Sequence, residues 1–474
     1  MKTQEGNENK LWTKLKQVVL DAILSSTSHG LPNIFRSTNV VIRIIWISFT
    51  LISASYCVFN IINCLIKYFN YEVTTKTRLY NEYKSVFPAV TVCNVNFFTS
   101  ENAVEFIKSI EDQKFTKNPF EDSFELYAKG IIENSSNFNQ VRQNVGDSKE
   151  KLIVFCMYSR KACNMSWIRY YYHSIYGNCF NINSGIDEND NKVPIFPAVG
   201  PKRFLGLRLI LNVSVAEEIK FLKGNMGAQV IIHNKTESPF MIEGIFLSPK
   251  TETNIALTRT FYSSLPKPYS SCESNTNDKN AYQSELYKLV FENGFGYNQI
   301  MCVGFCIQRL IIRNCKCYQA NLPYFSNSPP CVSPEQKICY EEQIKLISGT
   351  DYIEDVCFKE CPLECEGMFF EKTTSTNQFS NEEWIKYLQE YNGSDSVYFN
   401  RTVNADHLTA VNIYYERRSY FAIDETPSMI FTDLLSSIGG TAGLFLGISF
   451  LSLVEIVELL IQLFLVFKNQ NKVG

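Results

Sequence analysis

The chain has 474 residues, a formal net charge of −3 and 45% hydrophobic residues. This balanced composition excludes both the basic surface of a nucleic-acid-binding protein and a disordered polyelectrolyte. No G-x-S-x-G, P-loop or H-E-x-x-H pattern frames the serine, histidine and aspartate residues, so we expect neither an enzyme nor a cofactor.

The first predicted element is a membrane-spanning helix over residues 43–67. Between Arg43 and Lys67 the chain has 23 residues without a charge, enough to cross a hydrocarbon core of ~30 Å at ~1.5 Å per residue. Residues 1–42 carry five Lys or Arg against three acids, which favours a cytoplasmic N-terminal region. Because charges interrupt residues 11–26, we expect no cleavable signal peptide, and the helix itself would serve as the signal anchor.

Residues 68–428 are predicted to form one extracellular domain. They hold fourteen of the sixteen cysteines, and the other two, Cys57 and Cys64, lie in the first helix. An even number of cysteines in one region is typical of a disulfide framework formed in an oxidising compartment. The same region holds six N-x-S/T glycosylation sequons, at Asn134, Asn164, Asn212, Asn234, Asn392 and Asn400.

Two groups of cysteines in this domain repeat every four residues, as on one face of a helix. If both segments are antiparallel helices, Cys302 lies opposite Cys361. One turn further along, Cys306 lies opposite Cys357. The spacing therefore predicts two disulfides that join the helices like the rungs of a ladder.

The other cysteines of this run extend the same framework. Cys365 is free to reach back towards Cys272. A zinc cluster is the competing interpretation, but the chain has only four histidines and the sequons place the region outside the cell. Four further cysteines would staple the connecting loop, namely Cys315, Cys317, Cys331 and Cys339.

The remainder of the domain is predicted to contain both helices and strands. Alternating or β-branched runs predict strands over residues 206–213, 227–233 and 410–423. Residues 381–391 predict a helix, capped by Asn381 or Ser380. The sequence has no internal repeat, which favours one compact domain.

The second predicted span covers residues 429–467 and leaves 468–474 as a cytoplasmic tail. After Asp433 come 34 residues whose only charges belong to Glu455 and Glu458. As one straight helix this stretch would be ~51 Å long, too long for one simple crossing. It must tilt, project out of the membrane, or break, and its glycines are where a break costs least.

Two interpretations of this stretch are compatible. In an assembly of several copies, Glu455 or Glu458 can face a water-filled lumen, whereas a carboxylate at the bilayer centre costs roughly 2.5–3.5 kcal/mol. In the second interpretation, the helix packs closely against another helix, because Gly439, Gly443 and Gly447 recur at every fourth residue.

Five segments occur in a recognisable order: SSTSHGLPNIF (25–35), FPAVTVCN (87–94), YGNCFNINSG (176–185), the cysteine run 272–365, and LLSSIGGTAGLFLGISFLSLVEI (434–456). Together they resemble the degenerin/epithelial sodium channel family, closest in character to invertebrate, cnidarian-type peptide-gated channels. The resemblance implies a multi-pass trimeric channel of the plasma membrane, with two transmembrane helices and both termini cytoplasmic. It also implies a hand-like, disulfide-rich α+β ectodomain with palm, finger, thumb, knuckle and β-ball regions.

The resemblance further implies the position of particular regions and bonds. The thumb would cover roughly residues 272–365, which contain the helix pair described above. Two further disulfides would join Cys93 to Cys179 and Cys156 to Cys163.

The same resemblance implies a pore. Gly447-Ile448-Ser449 corresponds to the selectivity filter of the family, where the second helix breaks and backbone carbonyls line the narrowest point. His29-Gly30 corresponds to the cytoplasmic His-Gly gating motif, which forms a re-entrant segment beneath the filter. The middle filter residue is usually small, so the bulky Ile448 departs from the pattern and leaves the degree of selectivity for Na⁺ over Ca²⁺ open.

The remaining pore residues are assigned in the same way. Glu455 matches a glutamate typical of the family. Because Glu458 lies three positions further along the helix, the two side chains do not both point straight into the lumen. Ser436 corresponds to the small residue at which bulky replacements hold the pore open. Gly443, which is also assigned to the pore, lies between Ser436 and Glu455 in the sequence. Three copies of Asp433 would form a ring that attracts divalent cations, and an ordinary helix-terminal acid is the alternative.

The gating stimulus is the least uniform property of this family. Acid-sensing members carry a histidine pair where this chain has Glu72 and Val73, and the segment NKTESPF offers only Glu237 as a candidate acid. Residues 340–343 and 351–355 offer further carboxylates. The spacing of the last three thumb cysteines also resembles the branches that do not sense acid.

We therefore expect a subunit of a Na⁺-preferring homo- or heterotrimer, opened by an extracellular Arg-Phe-amide neuropeptide and blocked by amiloride-type compounds. An acid-sensing or constitutive sodium channel subunit is the alternative. A non-conducting surface receptor would be expected to have an uncharged second helix and a longer tail. The unrelated class of ATP-gated trimers would be expected to offer a lysine-rich nucleotide site.

Overall fold

The structure is a computed structural model, and it describes residues 2–83, 85–111, 143–173, 175–222, 225–292, 294, 296–319, 321–323, 325, 328–379, 382–383 and 404–470. The chain divides into two compact units, which we describe separately. The helical unit consists of Met1–Thr75 and Glu425–Gly474, and the sheet unit consists of Lys76–Asp424.

The helical unit is built from two segments that are far apart in sequence. Asn39 caps the long apolar helix, because its side chain accepts a hydrogen bond from the Val41 amide at 2.9 Å. The helices are α1 (Lys2–Ser25), α2 (Leu31–Arg36), α3 (Val40–Phe69), α10 (Phe431–Leu446) and α11 (Phe450–Gln470). Helix α3 packs against α10, and α1 packs against α11.

The helical unit contains the candidate membrane spans. Helix α3 is long and apolar enough to cross a membrane, and its bounds exceed the predicted 43–67 by two or three residues at each end. Helices α10 and α11 pass the same test only as a pair, bent by 74° at a short break. By length and composition, the described residues therefore offer one membrane span, or two spans if the bent pair α10 and α11 forms a single span. The orientation of the chain stays a prediction.

The sheet unit contains two large, mostly antiparallel sheets, a two-stranded sheet and a disulfide-linked helical region. Its helices are α4 (Glu101–Glu111), α5 (Lys149–Leu152), α6 (Glu285–Glu292), α7 (Gln299–Cys315), α8 (Pro334–Gly349) and α9 (Phe358–Glu360). The strands are β1 (Val73–Asn81), β2 (Ser85–Val86), β3 (Ala89–Asn94), β4 (Ile153–Tyr158), β5 (Lys161–Ala162), β6 (Arg169–His173), β7 (Gly177–Ile182), β8 (Pro197–Ala198), β9 (Leu207–Asn212), β10 (Ala228–His233), β11 (Ile245–Leu247), β12 (Thr251–Ser263), β13 (Glu366–Gln378) and β14 (Leu408–Pro427).

The larger sheet has the order β13-β12-β14-β9-β4-β5, with β1 also pairing with β14, and the second sheet has the order β11-β10-β3-β7-β6. Only β12 and β14 among these neighbours run parallel. The two sheets share one apolar core, to which Val92 and Val230 contribute from the second sheet and Leu209 and Ile413 from the larger one. The strands predicted over 206–213, 227–233 and 410–423 correspond to β9, β10 and β14.

All fourteen cysteines of the sheet unit are paired in disulfides. The disulfides are Cys93–Cys179, Cys156–Cys163, Cys272–Cys365, Cys302–Cys361, Cys306–Cys357, Cys315–Cys339 and Cys317–Cys331. Cys57 and Cys64 in α3 are free thiols. These pairs include the two rungs expected from the four-residue spacing and the two bonds expected from the resemblance.

One expectation about this region is wrong in detail. The spacing predicted a single helical stripe for Cys357, Cys361 and Cys365, but α9 ends at Glu360. The Cys361 amide still donates to the Cys357 carbonyl at 2.8 Å, whereas the Cys365 amide donates to Glu273 at 3.0 Å. Pro362 explains the end of the helix, because proline has no amide to continue it.

Several predicted features lie outside the described residues. They are the helix over 381–391 apart from residues 382–383, the sequons at Asn134, Asn392 and Asn400, and the last residues of the tail, 471–474. Among the described sequons, Asn164 is exposed and Asn234 half-buried. Asn212 is only 7% exposed within β9, and its side chain accepts a hydrogen bond from the Ser214 amide. A glycan at Asn212 would require this side chain to be exposed, and the use of every sequon stays a prediction.

Candidate pore site

The second apolar stretch breaks at the three residues between α10 and α11. Gly447 has a φ of +70°, which is left-handed backbone that glycine adopts without a steric penalty. Its amide still donates to the Gly443 carbonyl at 3.0 Å, and the Ile448 amide donates to the Ala442 carbonyl at 3.3 Å. The break is therefore an ordered C-terminal cap at Gly447, and it lies where the sequence resemblance places the filter.

The N-terminal segment before α2 lies against this break. The His29 amide donates to the Leu446 carbonyl at 3.2 Å, so it satisfies one of the carbonyls that the end of α10 leaves without a helical partner. A Cβ atom at Gly447 would lie 2.8 Å from the His29 ring and 3.0 Å from its amide nitrogen. Glycine is thus required at position 447 both by φ and by the close approach of His29.

Gly30 fixes the same segment to α3. A Cβ atom at Gly30 would overlap the side chain of Thr50, whose hydroxyl donates to the Trp46 carbonyl at 2.7 Å. The His29 carbonyl accepts a hydrogen bond from the Asn33 side chain at 3.0 Å. Helix α2 begins at Leu31, immediately after the His-Gly pair. The two residues of this motif therefore have different partners: His29 faces the helix break and Gly30 faces α3.

A polar network joins the N-terminal segment to α11. The Thr27 amide donates to the Glu455 carboxylate at 3.2 Å, and the Thr27 hydroxyl lies 2.8 Å from that of Ser452. The Ser452 oxygen also accepts from the Ser449 amide at 3.0 Å. Ser452 is 6% exposed. Ser449 and Glu455 were predicted from the sequence as site residues, whereas Thr27 and Ser452 were not.

The other predicted pore residues lie away from this network. Glu458 accepts from the Gln462 side chain at 3.1 Å and is exposed. Asp433 accepts from the Ile430 amide at 3.2 Å, so within the chain it acts as a helix-terminal acid at the start of α10. Ser436 is exposed on the same helix.

Two glycines of the repeat, Gly439 and Gly443, have no close packing contact in the described part of the chain. A Cβ atom at Gly439 would meet nothing within 4 Å, and one at Gly443 would lie 3.6 Å from the Ile448 carbonyl oxygen. Ile448 itself is 37% exposed. The space beside Gly439 and Gly443 is therefore not filled by the described part of the chain.

The sheet unit contains a separate cleft of about 840 Å³ that is lined by two half-buried acids, Glu237 and Glu364. Burial raises the pKa of Glu237, and burial also raises the pKa of Glu364, with the nearby charge of Glu237 adding to the effect. One carboxylate oxygen of Glu237 accepts from the Asn234 amide at 3.2 Å, and Glu364 accepts from the Gln299 amide at 3.0 Å.

Neither carboxylate has an ion pair with lysine or arginine in the part of the chain that the structure describes. The cleft also has aromatic walls, contributed by Phe261, Tyr262, Phe291, Tyr297, Phe369 and Phe370. Glu237 was predicted from the sequence as a candidate acid. Glu364 was not, because its only signal in the sequence was its position beside Cys365. The acids of 340–343 and 351–355 are exposed and do not line this cleft.

Two buried histidines of the sheet unit are held neutral. His233 is 1% exposed and His173 is 3% exposed. Burial lowers the pKa of each to about 4. The Nδ1 atom of His233 donates to the Asn234 carbonyl at 2.8 Å, which leaves Nε2 to accept from the Thr91 hydroxyl at 2.9 Å. Both ring nitrogens are therefore satisfied in the neutral form.

The chain is similar to proteins of one known family. The sequence model of the amiloride-sensitive sodium channel family matches residues 23–459. The chain is 28% identical to the epithelial sodium channel beta subunit of Xenopus laevis over 343 residues, which is 70% of this chain and 51% of that protein.

Two subunits of Neoceratodus forsteri show similar values. The gamma subunit is 28% identical over 68% of this chain and 47% of its own length, and the alpha subunit is 27% identical over 69% and 48%. The chain thus spans about half the length of these curated relatives. All three are vertebrate proteins, so a cnidarian-type character stays a prediction.

A cryo-EM structure of a proton-activated chloride channel aligns with 92% of this chain and 98% of its own, at a TM-score of 0.32 and 5% identity, values too low to carry an argument. The family match covers most of the chain, including both apolar stretches and the cysteine-rich region between them. The chain belongs to the amiloride-sensitive sodium channel family, which includes the epithelial sodium channel subunits.

Proposed function

We propose that this chain is a subunit of a trimeric, sodium-preferring cation channel of the plasma membrane, with residues Gly447–Ser449 as its selectivity filter. The observation that carries the proposal is the ordered helix break at Gly447, closed by the His29 amide. A break of this kind turns backbone carbonyls away from the helix ladder, and rings of such carbonyls replace the hydration shell of a permeating ion.

Below the filter, Glu455 is the residue we propose for attracting cations. Three copies around an axis would place carboxylates near the inner end of the pore, where a water-filled lumen removes the cost of burying their charge in lipid. In the single chain the Glu455 carboxylate is held by the Thr27 amide at 3.2 Å. The N-terminal segment would therefore set the position of this charge. Block by amiloride-type compounds is part of the proposal.

We propose that an extracellular Arg-Phe-amide peptide opens the channel, in keeping with the missing histidine pair at Glu72 and Val73. The acid-lined cleft of the sheet unit supports this stimulus, because Glu237 and Glu364 offer charge to a guanidinium group and the aromatic walls offer contact to a phenyl ring. Both termini would then be cytoplasmic and the sheet unit extracellular.

Proton gating is the second candidate, and the same two acids favour it. Carboxyl groups whose pKa is raised by burial take up protons at a higher pH than exposed ones do. A fall in extracellular pH would neutralise Glu237 and Glu364 together and remove their repulsion. In both candidates these acids are the receiving groups, so the response to peptide and to acid must be measured on the same variants.

The test is whole-cell current from cells that express the chain, alone and with related subunits, during a fast step to pH 5 and during application of an Arg-Phe-amide peptide. The proposal predicts a peptide-evoked, amiloride-sensitive current. Glu237→Gln and Glu364→Gln should raise the peptide concentration needed for half-maximal current, whereas the exposed control Glu341→Gln should not. A large acid-evoked current with no response to peptide would support the second candidate instead.

A further inference from the structure

We propose that Ser452 is a positioning residue that couples the cytoplasmic N-terminal segment to the selectivity filter. This inference rests on the proposed function and names a residue of the same site. Ser452 is the member of the site whose hydroxyl contacts both sides, Thr27 of the N-terminal segment and Ser449 of the filter.

The geometry makes the Ser452 hydroxyl the shared atom of the network. Its oxygen lies 2.8 Å from the Thr27 hydroxyl, 3.0 Å from the Ser449 amide and 3.5 Å from the Ser449 hydroxyl. Because the Ser449 amide can only donate, the Ser452 oxygen accepts there. Its own proton is then available for Thr27 or Ser449, and the Thr27 hydroxyl can donate in the opposite sense.

Local backbone geometry supports the same role. The Ser452 amide donates to the Ser449 carbonyl at 3.0 Å, so Ser449 and Ser452 exchange hydrogen bonds across the first turn of α11. This is the arrangement of a helix start, in which a side-chain oxygen satisfies an amide that has no helical partner. The Ser452 side chain thereby fixes the direction of the chain as it leaves the filter.

Burial makes the network sensitive to its loss. Ser452 is 6% exposed, and removing its hydroxyl leaves the Ser449 amide without its side-chain acceptor. The Thr27 hydroxyl loses its partner as well. The Thr27 amide keeps its bond to Glu455, so the expected effect is loosening of the filter rather than release of the whole N-terminal segment.

The first experiment measures permeation in Ser452→Ala, Ser452→Thr and the matched control Ser55→Ala, a serine exposed on α3. The loss of one hydrogen bond predicts a change of about two- to ten-fold in the Na⁺/K⁺ permeability ratio of Ser452→Ala. Ser452→Thr keeps the hydroxyl and should restore the ratio, and Ser55→Ala should equal the wild type. Surface labelling of each variant separates altered permeation from altered assembly.

A double-mutant cycle tests the coupling to the N-terminal segment. Thr27→Val removes the hydroxyl and keeps the shape, so it should change the permeability ratio in the wild-type background. In the Ser452→Ala background the same substitution should add no further change. Additive effects of the two substitutions would overturn the coupling.

A second experiment does not depend on conduction. In a Cys57→Ser, Cys64→Ser background, Thr27→Cys and Ser452→Cys are combined with a protease site inserted at residues 37–39 and an N-terminal tag. After mild oxidation and cleavage, the tagged fragment should stay attached to the remainder without reductant and separate with it. Each single cysteine variant should release the fragment in both conditions.

Each outcome of the permeation and cross-linking experiments supports or overturns one claim. Cross-linking together with a changed permeability ratio in Ser452→Ala supports the inference. Absence of the cross-link, or a wild-type ratio in Ser452→Ala, overturns it. If the cross-link forms and the wild type carries no cation current under any stimulus, the contact stands and the proposed channel function fails.

Discussion

Gly447→Ala is the substitution whose effect the structure defines most closely. Alanine at a φ of +70° pays the penalty of the left-handed region, about 1–2 kcal/mol. Its Cβ atom would in addition lie 2.8 Å from the His29 ring and 3.0 Å from the His29 amide nitrogen. Both distances are shorter than a normal van der Waals contact, so the N-terminal segment must move away from the break.

Two further variants separate these causes. His29→Ala in the Gly447→Ala background removes the ring that the new Cβ meets, and should recover the part of the loss due to the ring, but neither the part due to φ nor the part due to the contact with the His29 amide nitrogen. Gly439→Ala is the matched control on the same helix, because a Cβ there meets nothing within 4 Å. Its expected effect has the opposite sign, a gain of up to about 1 kcal/mol from helix propensity.

The assay is the melting temperature of the purified, detergent-solubilised full chain, followed by reversal potentials of the variants that reach the cell surface. The expected order of stability is Gly439→Ala, wild type, the double variant, then Gly447→Ala. A Gly447→Ala protein as stable and as selective as the wild type would show that the helix break and the His29 contact are not as described.

Three further predictions concern other parts of the chain. Glycosidase treatment of the expressed protein should lower its apparent mass, and tags at either terminus should be inaccessible on intact cells; an accessible tag would reverse the proposed topology. Ser436→Cys should be held open by a bulky thiol reagent, and an unmodified current would remove Ser436 from the outer pore. His173 and His233 are buried and neutral, with pKa values of about 4 in the folded chain against ~6.5 in the unfolded chain. As pH falls from 6.5 towards 4, the free energy of unfolding should therefore decrease by about 3 kcal/mol for each histidine. The melting temperature should therefore fall between pH 7 and pH 5, less so in His233→Gln, although Glu237 and Glu364 act in the opposite direction because their pKa values are raised.

The sequence predicted those parts of the fold in which one local pattern has one structural outcome. The alternating or β-branched runs in 206–213 and 227–233 predicted strands, and both strands are buried along most of their length and contribute to the shared core. The four-residue cysteine spacing specified the pairs Cys302–Cys361 and Cys306–Cys357, because equal rises on two helices bring them into register. The length of the second apolar stretch left three outcomes open, namely a tilt, a projection out of the membrane or a break, and the structure has the break at Gly447.

The features that sequence reasoning missed depend on contacts between distant segments. Glu364 acquires its raised pKa from burial beside Glu237, and no local pattern in the chain reports that neighbour. Thr27 and Ser452 are separated by more than four hundred positions, and each alone is an ordinary small polar residue. The end of the helix before Cys365 was visible in Pro362, but the regular cysteine spacing suggested continuity.

The central claim is that Gly447–Ser449 and the network beneath it select the permeating ion. The most direct measurement is the reversal potential under Na⁺/K⁺ gradients in the wild type, Ser449→Ala and Glu455→Gln, with surface expression matched. The account predicts a Na⁺-preferring wild type and a changed permeability ratio or unitary conductance in both variants. Reversal potentials and conductances identical to the wild type in both variants would contradict it.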